Sequence, residues 1–429
     1  MRLNAMNSIA ESYPEAVRVK LEQIAGILKN NANVKMEKEP SNEEQRKAMA
    51  NPVEFQNLLG TAVIHLPDKQ KIYYRFPYPL PNGAFLLKGE LRTPGFFIPF
   101  ASLKEPLDLE KSQVWAGEIY RLNGTIKWLR KPKNQNKMAL AEGLEELQQN
   151  LMKWEPKQNV RLNSKYRPNF PLVDRTNPLN EAASIREIRF PTYPSKTDEY
   201  FPKDIPERAK VHKSHVGRVC SLETSDDKPG EVLYLAQDAC VKIKNEESQI
   251  ISKEPKHLFS YPCSLVPFIQ HNKPIRAIIG GRELKQALPL LNPKIPLVCT
   301  GVEEEVAEES GRVIRARNPG KVIKVNWKTQ GGEIQVRRDS DGEVDHYHLA
   351  DYCHVHSGEF QGGCYYEKQR VDNQQQVIKG KILAEGCGVK DGKLALGVNL
   401  LVAYMPWFGY NFEDAIVITC LEKTCHLHF

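Results

Sequence analysis

The stretch LGVNLLVAYMPWFGYNFEDAIVIT, residues 396–419, places two apolar segments around a centre rich in aromatic residues, proline and glycine. The apolar segments LGVNLLVAYM and DAIVIT are typical of β-strands. Glu413 and Asp414 are adjacent, so one carboxylate can reach a metal ion or its water shell while the other holds the loop. An acidic pair at a turn or at the start of a helix has the same spacing, so the spacing alone does not decide between these roles.

Strand patterns extend upstream of this stretch. After Gly311 the segments RVIRAR, KVIKVNW, EIQVRR, GEVDHYHL and VIKGKILA predict a mostly β region, which we expect to form a barrel. Between residues 60 and 130, TAVIH, KIYYRF, GAFLLKGE and GTIKWL predict the short strands of a β-rich first domain. Residues 155–230 hold many prolines and charges with little periodicity, which predicts that most of this stretch forms surface loops.

Two amphipathic helices are predicted. The first has helical spacing at Val17, Leu21, Ile24 and Leu28, and the polar residues 29–47 after it read as a surface linker. The second covers residues 138–154, where the apolar face consists of Leu140, Leu144, Leu147 and Leu151.

Composition narrows the class of protein. A chain of 429 residues with 41% hydrophobic and 26% charged residues is long enough for about three domains, and it is neither disordered nor fibrous. The net charge of +7 permits a polyanionic partner without requiring one. No apolar run reaches the roughly 18 residues of a membrane helix, so we expect no contact with a membrane. Nine cysteines without a C-x-x-C pair, and no secretory signal, indicate a reducing compartment and no disulfide framework.

Histidines and cysteines between residues 346 and 364 supply enough nitrogen and sulfur ligands for a zinc site. The candidates are His346, His348, Cys353, His354, His356 and Cys364. Their spacing lacks a C-x-x-C knuckle or a helical H-x3-H pair, so a strand with surface histidines is the favoured interpretation.

The glycine-rich stretch GCGVKDGKL, residues 386–394, resembles a phosphate-binding loop only superficially. Its spacing departs from the G-x4-G-K-[ST] pattern, and Leu394 occupies the position of the hydroxyl residue. The stretch therefore predicts a hairpin.

As a whole, residues 396–419 resemble a signature of the β subunit of bacterial-type multisubunit DNA-directed RNA polymerase. Further segments resemble the same family in the same order: DRTNPLNE at 174–181, HKSHVGRVCSLET at 212–224, residues 259–291 and residues 296–311. NGAFLLKG and LRTPGFFI are similar to the N-terminal lobe of that family. The stretches that follow NPLNE and SLET depart from the family pattern.

The resemblance implies an α+β, β-rich, multidomain fold. Protrusion-like and fork-like regions would be followed by the beginning of a double-psi β-barrel. The expected divisions are an N-terminal helix and linker at 1–50, a shortened protrusion-like domain at 51–173, a fork and external region at 174–310, and an incomplete barrel with a hybrid-binding region at 311–429.

The resemblance also implies roles for individual residues. Glu413 and Asp414 match an acidic pair near a second Mg²⁺, while the main Mg²⁺ site belongs to the β′ subunit. Arg276 matches an arginine that faces the nucleotide triphosphate, and Lys285 lies in a matching active-centre helix. The residues expected to contact DNA or the RNA:DNA hybrid, through phosphates and therefore with strong salt dependence, are Asn177, Arg186, Arg189, His215 and Arg218.

The function implied is transcription by ribonucleotide transfer, carried out in a complex and not by this chain alone. The implied partners are α and β′ subunits, a sigma factor, DNA, RNA, ribonucleoside triphosphates and a chain that carries the active-site lysines of the family's later half, which this sequence lacks. The implied location is the bacterial cytoplasm, at the nucleoid, or an organelle of bacterial descent such as a plastid. Two alternatives stay open: a non-catalytic truncated relic or polymerase-associated protein that binds nucleic acid, and an unrelated zinc-binding β protein.

Overall fold

The structure is a computed structural model that describes sixteen stretches of the chain. These are residues 7–28, 32–67, 71–81, 83–93, 95–98, 105–112, 114, 122, 173–190, 210–226, 232–244, 247–252, 258–290, 292–328, 331–349 and 367–418. The predicted helix at 138–154, the predicted strand GTIKWL and the zinc candidates Cys353, His354, His356 and Cys364 lie outside the described residues.

The predicted N-terminal helix is confirmed as α1 (Asn7–Leu28), which buries Val17, Leu21 and Ile24 completely. It packs on an antiparallel sheet of β1 (Asn33–Lys38), β2 (Leu59–His65) and β3 (Lys71–Pro77). The apolar and aromatic side chains of these strands form one core with the helix because the strands alternate buried and exposed positions.

The prediction of a surface linker at residues 29–47 is wrong. Residues in this stretch form β1, whose Val34 pairs with Ile64 of β2, and α2 (Asn42–Ala50). Ser41 and Glu44 form a capping box, in which the Ser41 hydroxyl accepts from the Glu44 N–H and the Glu44 carboxylate accepts from the Ser41 N–H. A polar stretch can thus be ordered by strand pairing and by local capping.

Short elements follow in the first core. They are α3 (Pro52–Phe55), the hairpin β4 (Phe85–Leu87) and β5 (Glu90–Arg92), and β6 (Phe96–Phe97), which runs parallel to β7 (Glu187–Arg189). β8 (Val232–Tyr234) pairs with β7, and β9 (Ala239–Lys244) pairs with β10 (Glu247–Ser252). One buried cluster joins these elements from Tyr13 to Ile250.

A group of helices lies beside this core. It consists of α4 (Pro178–Ser184), α5 (Glu223–Asp226), α6 (Tyr261–Ser264), α7 (Pro274–Gln286) and α8 (Glu303–Glu309), with 3-10 turns at Lys213–His215 and Ile269–His271. Leu179, Tyr261 and Val306 form the centre of a second apolar cluster that holds α4, α6 and α8 together.

The predicted strands between residues 312 and 385 are confirmed, and they build antiparallel sheets. One sheet has the order β14 (Val344–Leu349), β13 (Gly331–Arg338), β12 (Gly320–Lys328) and β16 (Gln376–Val377). Another has the order β11 (Val313–Arg315), β17 (Ile382–Glu385) and β15 (Lys368–Gln369). The chain is therefore a mixed helix and strand fold with several antiparallel sheets, and the double-psi barrel stays a prediction.

The predicted hairpin at residues 386–394 is confirmed. β18 (Val389–Lys390) pairs with β19 (Lys393–Leu394) across a two-residue turn of Asp391 and Gly392. Both turn residues have positive φ, 50° and 75°, which is the backbone twist that a two-residue hairpin favours.

The predicted strands LGVNLLVAYM and DAIVIT are not formed in the described residues. Gly397 makes one bridge to Lys294, but residues 398–418 contain no strand. Leu401, Tyr404 and Ile416 are 105%, 98% and 84% exposed. A strand pattern becomes a strand only where a neighbouring strand and an apolar layer are available, and the described residues supply neither here.

The described helices are all too short or too polar to cross a lipid bilayer.

Candidate nucleotide and nucleic-acid site

The acidic pair lies on an exposed loop. Asn411 organises this loop, since its Oδ1 accepts from the Trp407 N–H at 2.8 Å and its Nδ2 donates to the Met405 carbonyl at 2.7 Å. Glu413 has φ of 55°, an uncommon conformation for a residue with a Cβ. Among the described residues, no cation pairs with the exposed carboxylates of Glu413 or Asp414, so both are available to a ligand.

Arg276 lies in the first turn of α7, which begins with Pro274 at its first position. Its guanidinium is exposed and makes no hydrogen bond or ion pair with the described residues. The N-terminus of a helix favours anions because backbone N–H groups point outward there. This placement fits the predicted contact with a triphosphate.

Lys285 lies near the other end of the same helix and is engaged within the protein. Its Nζ lies 2.6 Å from Glu223 Oε1 and 5.3 Å from the centre of the Tyr234 ring. At 1.5 Å per residue, Lys285 is separated from Arg276 by about 14 Å along the helix axis. The two predicted nucleotide-binding residues therefore occupy opposite ends of α7.

Asn177 is buried and has its polar atoms occupied. Its Oδ1 accepts from the Leu179 N–H at 2.8 Å, which caps α4. Its Nδ2 donates to the carbonyl oxygens of Leu284 and Ala287, at the end of α7. Asn177 thus joins the start of one helix to the end of another and offers no free donor to a nucleic acid.

Arg186 is also buried, with 3% of its surface exposed. Its Nη2 donates to the carbonyl oxygens of Ala236, Gln237 and Ala239 at 2.5, 2.6 and 2.9 Å. Its guanidinium also lies 4.9 Å from the centre of the Tyr261 ring. The resemblance implied that Arg186 contacts nucleic acid, whereas in the structure its guanidinium is buried and bonds backbone carbonyls.

The three remaining predicted nucleic-acid contacts differ in accessibility. Arg189 is exposed and pairs with Glu187 at 3.1 Å. Arg218 donates to the carbonyls of Ile250 and Ser214. The His215 Nε2 lies 2.6 Å from the Leu107 carbonyl oxygen, and burial lowers the pKa of His215, so its ring is neutral near pH 7. Only Arg189 of these three presents an exposed cationic side chain.

A buried network that the sequence analysis did not identify connects these helices to the C-terminal sheets. Arg312 is fully buried, and its Nη2 lies 2.9 Å from Glu181 Oε2. Glu181 Oε1 also accepts from Arg175 Nε at 3.1 Å. Arg175 and Glu181 both belong to the DRTNPLNE segment. The opposite charges in that segment were the sequence feature that could have indicated this network.

The two zinc candidates that the structure describes, His346 and His348, lie on one face of β14. The His346 Nδ1 lies 2.6 Å from Glu333 Oε1, and His348 is half-buried with its pKa lowered by burial. The two described histidines are thus placed within the sheet, and the remaining zinc candidates are not tested.

Two stretches of this chain match family models built from known proteins. Residues 171–241 match the family model for RNA polymerase Rpb2, domain 3, and residues 328–421 match the model for RNA polymerase Rpb2, domain 6. In these two stretches the chain is similar to domains of RNA polymerase β subunits. The domain 3 match includes Asn177, Arg186, Arg189, His215 and Arg218, and the domain 6 match includes Glu413 and Asp414.

Individual DNA-directed RNA polymerase β subunits are similar to parts of this chain. One from Mesostigma viride is 41% identical over 179 residues, which are 41% of this chain and 16% of that protein. One from Rubrobacter xylanophilus is 34% identical over 260 residues, 59% of this chain and 22% of that protein. One from Synechococcus sp. is 31% identical over 315 residues, 58% of this chain and 27% of that protein. The chain therefore spans about a quarter or less of the length of these relatives.

Proposed function

We propose that this chain is a β-subunit component of a multisubunit DNA-directed RNA polymerase and takes part in template-directed ribonucleotide transfer. The observation that carries the proposal is the pair of Rpb2 domain matches, the second of which includes an exposed acidic pair with no cationic partner in the described part of the chain. In such a complex the chain would act in the bacterial cytoplasm or in an organelle of bacterial descent.

Glu413 and Asp414 are proposed to interact with a second Mg²⁺ through its water shell. Two adjacent carboxylates without a cationic partner among the described residues suit a hydrated divalent ion. Such an ion offsets negative charge that develops on phosphate oxygens during in-line displacement. The main Mg²⁺ would be held by a β′ subunit, as the family resemblance implies.

Arg276 is proposed to bind the triphosphate of the incoming nucleotide, because its guanidinium is exposed at the N-terminus of α7. Lys285 is proposed to act indirectly, through its ion pair with Glu223, which joins α7 to α5. Asn177 and Arg186 are proposed to position these helices, since their polar groups bond the protein itself.

Nucleic-acid contact is proposed at Arg189, whose side chain is exposed. His215 and Arg218 bond the backbone carbonyls of Leu107 and Ser214 and are proposed to hold the fork-like region in shape. Contacts of this type are made to phosphates, so binding should be tolerant of sequence and weakened by salt.

Assembly with further chains is proposed because the exposed segment 398–418 is rich in large apolar side chains. Exposed apolar surface of this kind marks a site of contact with another chain. We propose that α and β′ subunits bind this protein, with sigma joining the assembled enzyme, and that the C-terminal sheets belong to a double-psi barrel.

The test is affinity purification of the tagged full chain from its own cells, with mass spectrometry of the partners and a template-dependent RNA synthesis assay. We expect α and β′ to co-purify with activity. Glu413→Ala combined with Asp414→Ala should reduce nucleotide incorporation at least tenfold without loss of these partners, since the proposed role is electrostatic. Asp372→Ala, an exposed acid on a turn, is the control. Recovery of an inactive chain without polymerase subunits would contradict the proposal and favour a relic.

A further inference from the structure

Cys220 and Glu223, which are close in sequence, meet the distant Cys263 in a buried cluster. Cys220 precedes α5, Glu223 begins α5, and Cys263 lies on α6. All three are buried, and their sulfur and carboxylate oxygen atoms lie within 4.8 Å of one another. These three residues are here called the thiol–carboxylate cluster, and only Glu223 among them contacts a residue of the proposed polymerase site, through its ion pair with Lys285.

The carboxylate of Glu223 has one oxygen unused. Its Oε1 accepts from Lys285 Nζ at 2.6 Å, whereas its Oε2 is buried and has no hydrogen-bond partner among the described residues. A buried carboxylate oxygen without a donor is unfavourable, because the desolvation of its charge is not compensated. A buried polar atom without a partner needs an explanation. A bound ion would pair with this Glu223 oxygen and would also explain why two thiols lie beside it.

The charges of the surroundings fit a divalent cation. Two thiolates and one carboxylate carry three negative charges, and Lys285 supplies one positive charge. A divalent ion would bring the sum to zero, which a buried site requires. Sulfur and carboxylate ligands together are a donor set that Zn²⁺ accepts.

The spacing of the ligand atoms also fits. At Zn–S distances of about 2.3 Å, tetrahedral geometry places two sulfur ligands about 3.8 Å apart. The present separations, within 4.8 Å, therefore need shifts of about 1 Å or less.

The backbone around the cluster is closely held. The Glu223 N–H donates to Cys220 Sγ at 3.3 Å. A Cβ added at Gly281 of α7 would lie 3.2 Å from the Pro262 carbonyl carbon, so α7 packs directly on α6 beside Cys263.

We propose that Cys220, Glu223 and Cys263 bind one Zn²⁺, with water or the Ser260 hydroxyl as the fourth ligand. The site is structural: it clamps α5 against α6 and orients the Glu223 carboxylate that pairs with Lys285. The proposal rests on the geometry of the cluster and does not depend on the polymerase function.

The test uses the purified full chain, reduced and freed of metal, and titrated with Co²⁺ and then with Zn²⁺. We expect one equivalent of Co²⁺ to give the absorption of a tetrahedral thiolate complex, and Zn²⁺ to displace it. Cys220→Ser and Cys263→Ser should lose this equivalent, and Glu223→Gln should weaken Zn²⁺ binding about tenfold or more. Cys299→Ser, at an exposed cysteine, is the control and should bind as the unchanged chain does.

A second measurement needs no variant, in case the substitutions prevent folding. Zn²⁺ should protect Cys220 and Cys263, but not Cys299, from alkylation, as read by peptide mass spectrometry. The proposal is overturned if the unchanged chain binds no metal, if Cys220→Ser and Cys263→Ser retain the equivalent, or if Zn²⁺ protects neither cysteine. A Cys220–Cys263 disulfide in the freshly isolated chain, with no metal bound after reduction, would also overturn it.

Discussion

Arg312 shows how single residues connect the two parts of this chain that match Rpb2 domains. It is fully buried, and its guanidinium bonds the Glu181 carboxylate, the Arg175 carbonyl and the Cys387 sulfur. Glu181 and Arg175 belong to the domain 3 match and Cys387 to the domain 6 match. A buried charge of this kind is tolerated only because its partner charge is adjacent.

Arg312→Met should therefore be strongly destabilising. The substitution leaves Glu181 with Arg175 as its remaining cationic partner in a buried site, which should lower the free energy of unfolding by about 3–5 kcal/mol. Urea unfolding followed by circular dichroism measures this change. Arg315→Met is the matched control, because Arg315 pairs with exposed Glu304 and Glu308, and it should change stability by about 1 kcal/mol or less. Equal effects of the two substitutions would contradict the role assigned to Arg312.

Arg276 provides the residue-scale test of nucleotide binding. In the assembled complex, Arg276→Ala should raise the nucleotide concentration that gives half-maximal RNA synthesis about tenfold, because a charge-assisted bond to phosphate is lost. Arg276→Lys should retain part of the binding, since it keeps the charge without the fork. Arg282→Ala, at an exposed position of the same helix, is the control. An unchanged nucleotide requirement in Arg276→Ala would leave Arg276 as an ordinary surface cation.

At the scale of elements, the four-stranded sheet depends on an acidic side chain. Asp345 is the second residue of β14 and is buried, and it accepts hydrogen bonds from Arg338 at 2.8 and 3.0 Å and from Asn318 at 2.9 Å. Burial raises the pKa of Asp345, but these hydrogen bonds and the charge of Arg317 outweigh it, so the pKa lies below its usual value. The ionised form of Asp345 thus stabilises the fold.

The sign of the pH dependence follows from that lowered pKa. The stabilisation is complete above the unfolded pKa of an aspartate, about 3.9, and is lost as the pH falls through the lower pKa of the folded state. Asp345→Asn should therefore be less stable than the unchanged chain at pH 7, and the difference should shrink as the pH falls below about 4. Denaturant unfolding at several pH values measures this. Asp372→Asn, at an exposed turn, is the control, and its difference in stability from the unchanged chain should not change with pH. If the difference in stability for Asp345→Asn is also constant with pH, the proposed role of the Asp345 charge is wrong.

At the scale of the whole molecule, the segment at residues 398–418 exposes more apolar surface to solvent than a stable monomer usually does. Elsewhere in the described residues most apolar side chains are buried, many of them in three clusters, whereas this segment leaves most of its apolar side chains in solvent. Exposed apolar surface of this extent promotes association. The isolated chain is therefore expected to bind itself or a partner through this segment.

Leu401→Ser combined with Ile416→Ser should reduce that association. Both side chains are mostly exposed, so their loss should leave the free energy of unfolding nearly unchanged. Self-association in sedimentation velocity and binding of an apolar dye should both fall at least twofold, and recovery of polymerase partners should fall with them. Val211→Ser, at an exposed apolar residue outside the segment, is the control. Unaltered self-association and partner recovery would show that the segment is not a contact surface.

Local sequence patterns were sufficient to predict several helices and strands of this protein. The spacing of Val17, Leu21 and Ile24 determined α1, and the Asp391-Gly392 pair determined the β18–β19 hairpin. Both depend on interactions between residues close in sequence. The long motif at residues 396–419 was sufficient to indicate the family, which the Rpb2 domain matches support. The capping box at Ser41 and Glu44 was equally local, but the polar composition around it concealed the signal.

Only the tertiary structure decided which polar side chains are available to a ligand. The sequence does not distinguish Arg186, which bonds three backbone carbonyls, from Arg189, which is exposed, because burial depends on elements distant along the chain. The meeting of Cys220 with Cys263 has the same origin. The strand patterns at residues 396–419 needed a pairing partner to become strands, since a strand is stabilised by its neighbours. Sequence thus determined local conformation and family, whereas burial and the grouping of the site residues required the packed chain.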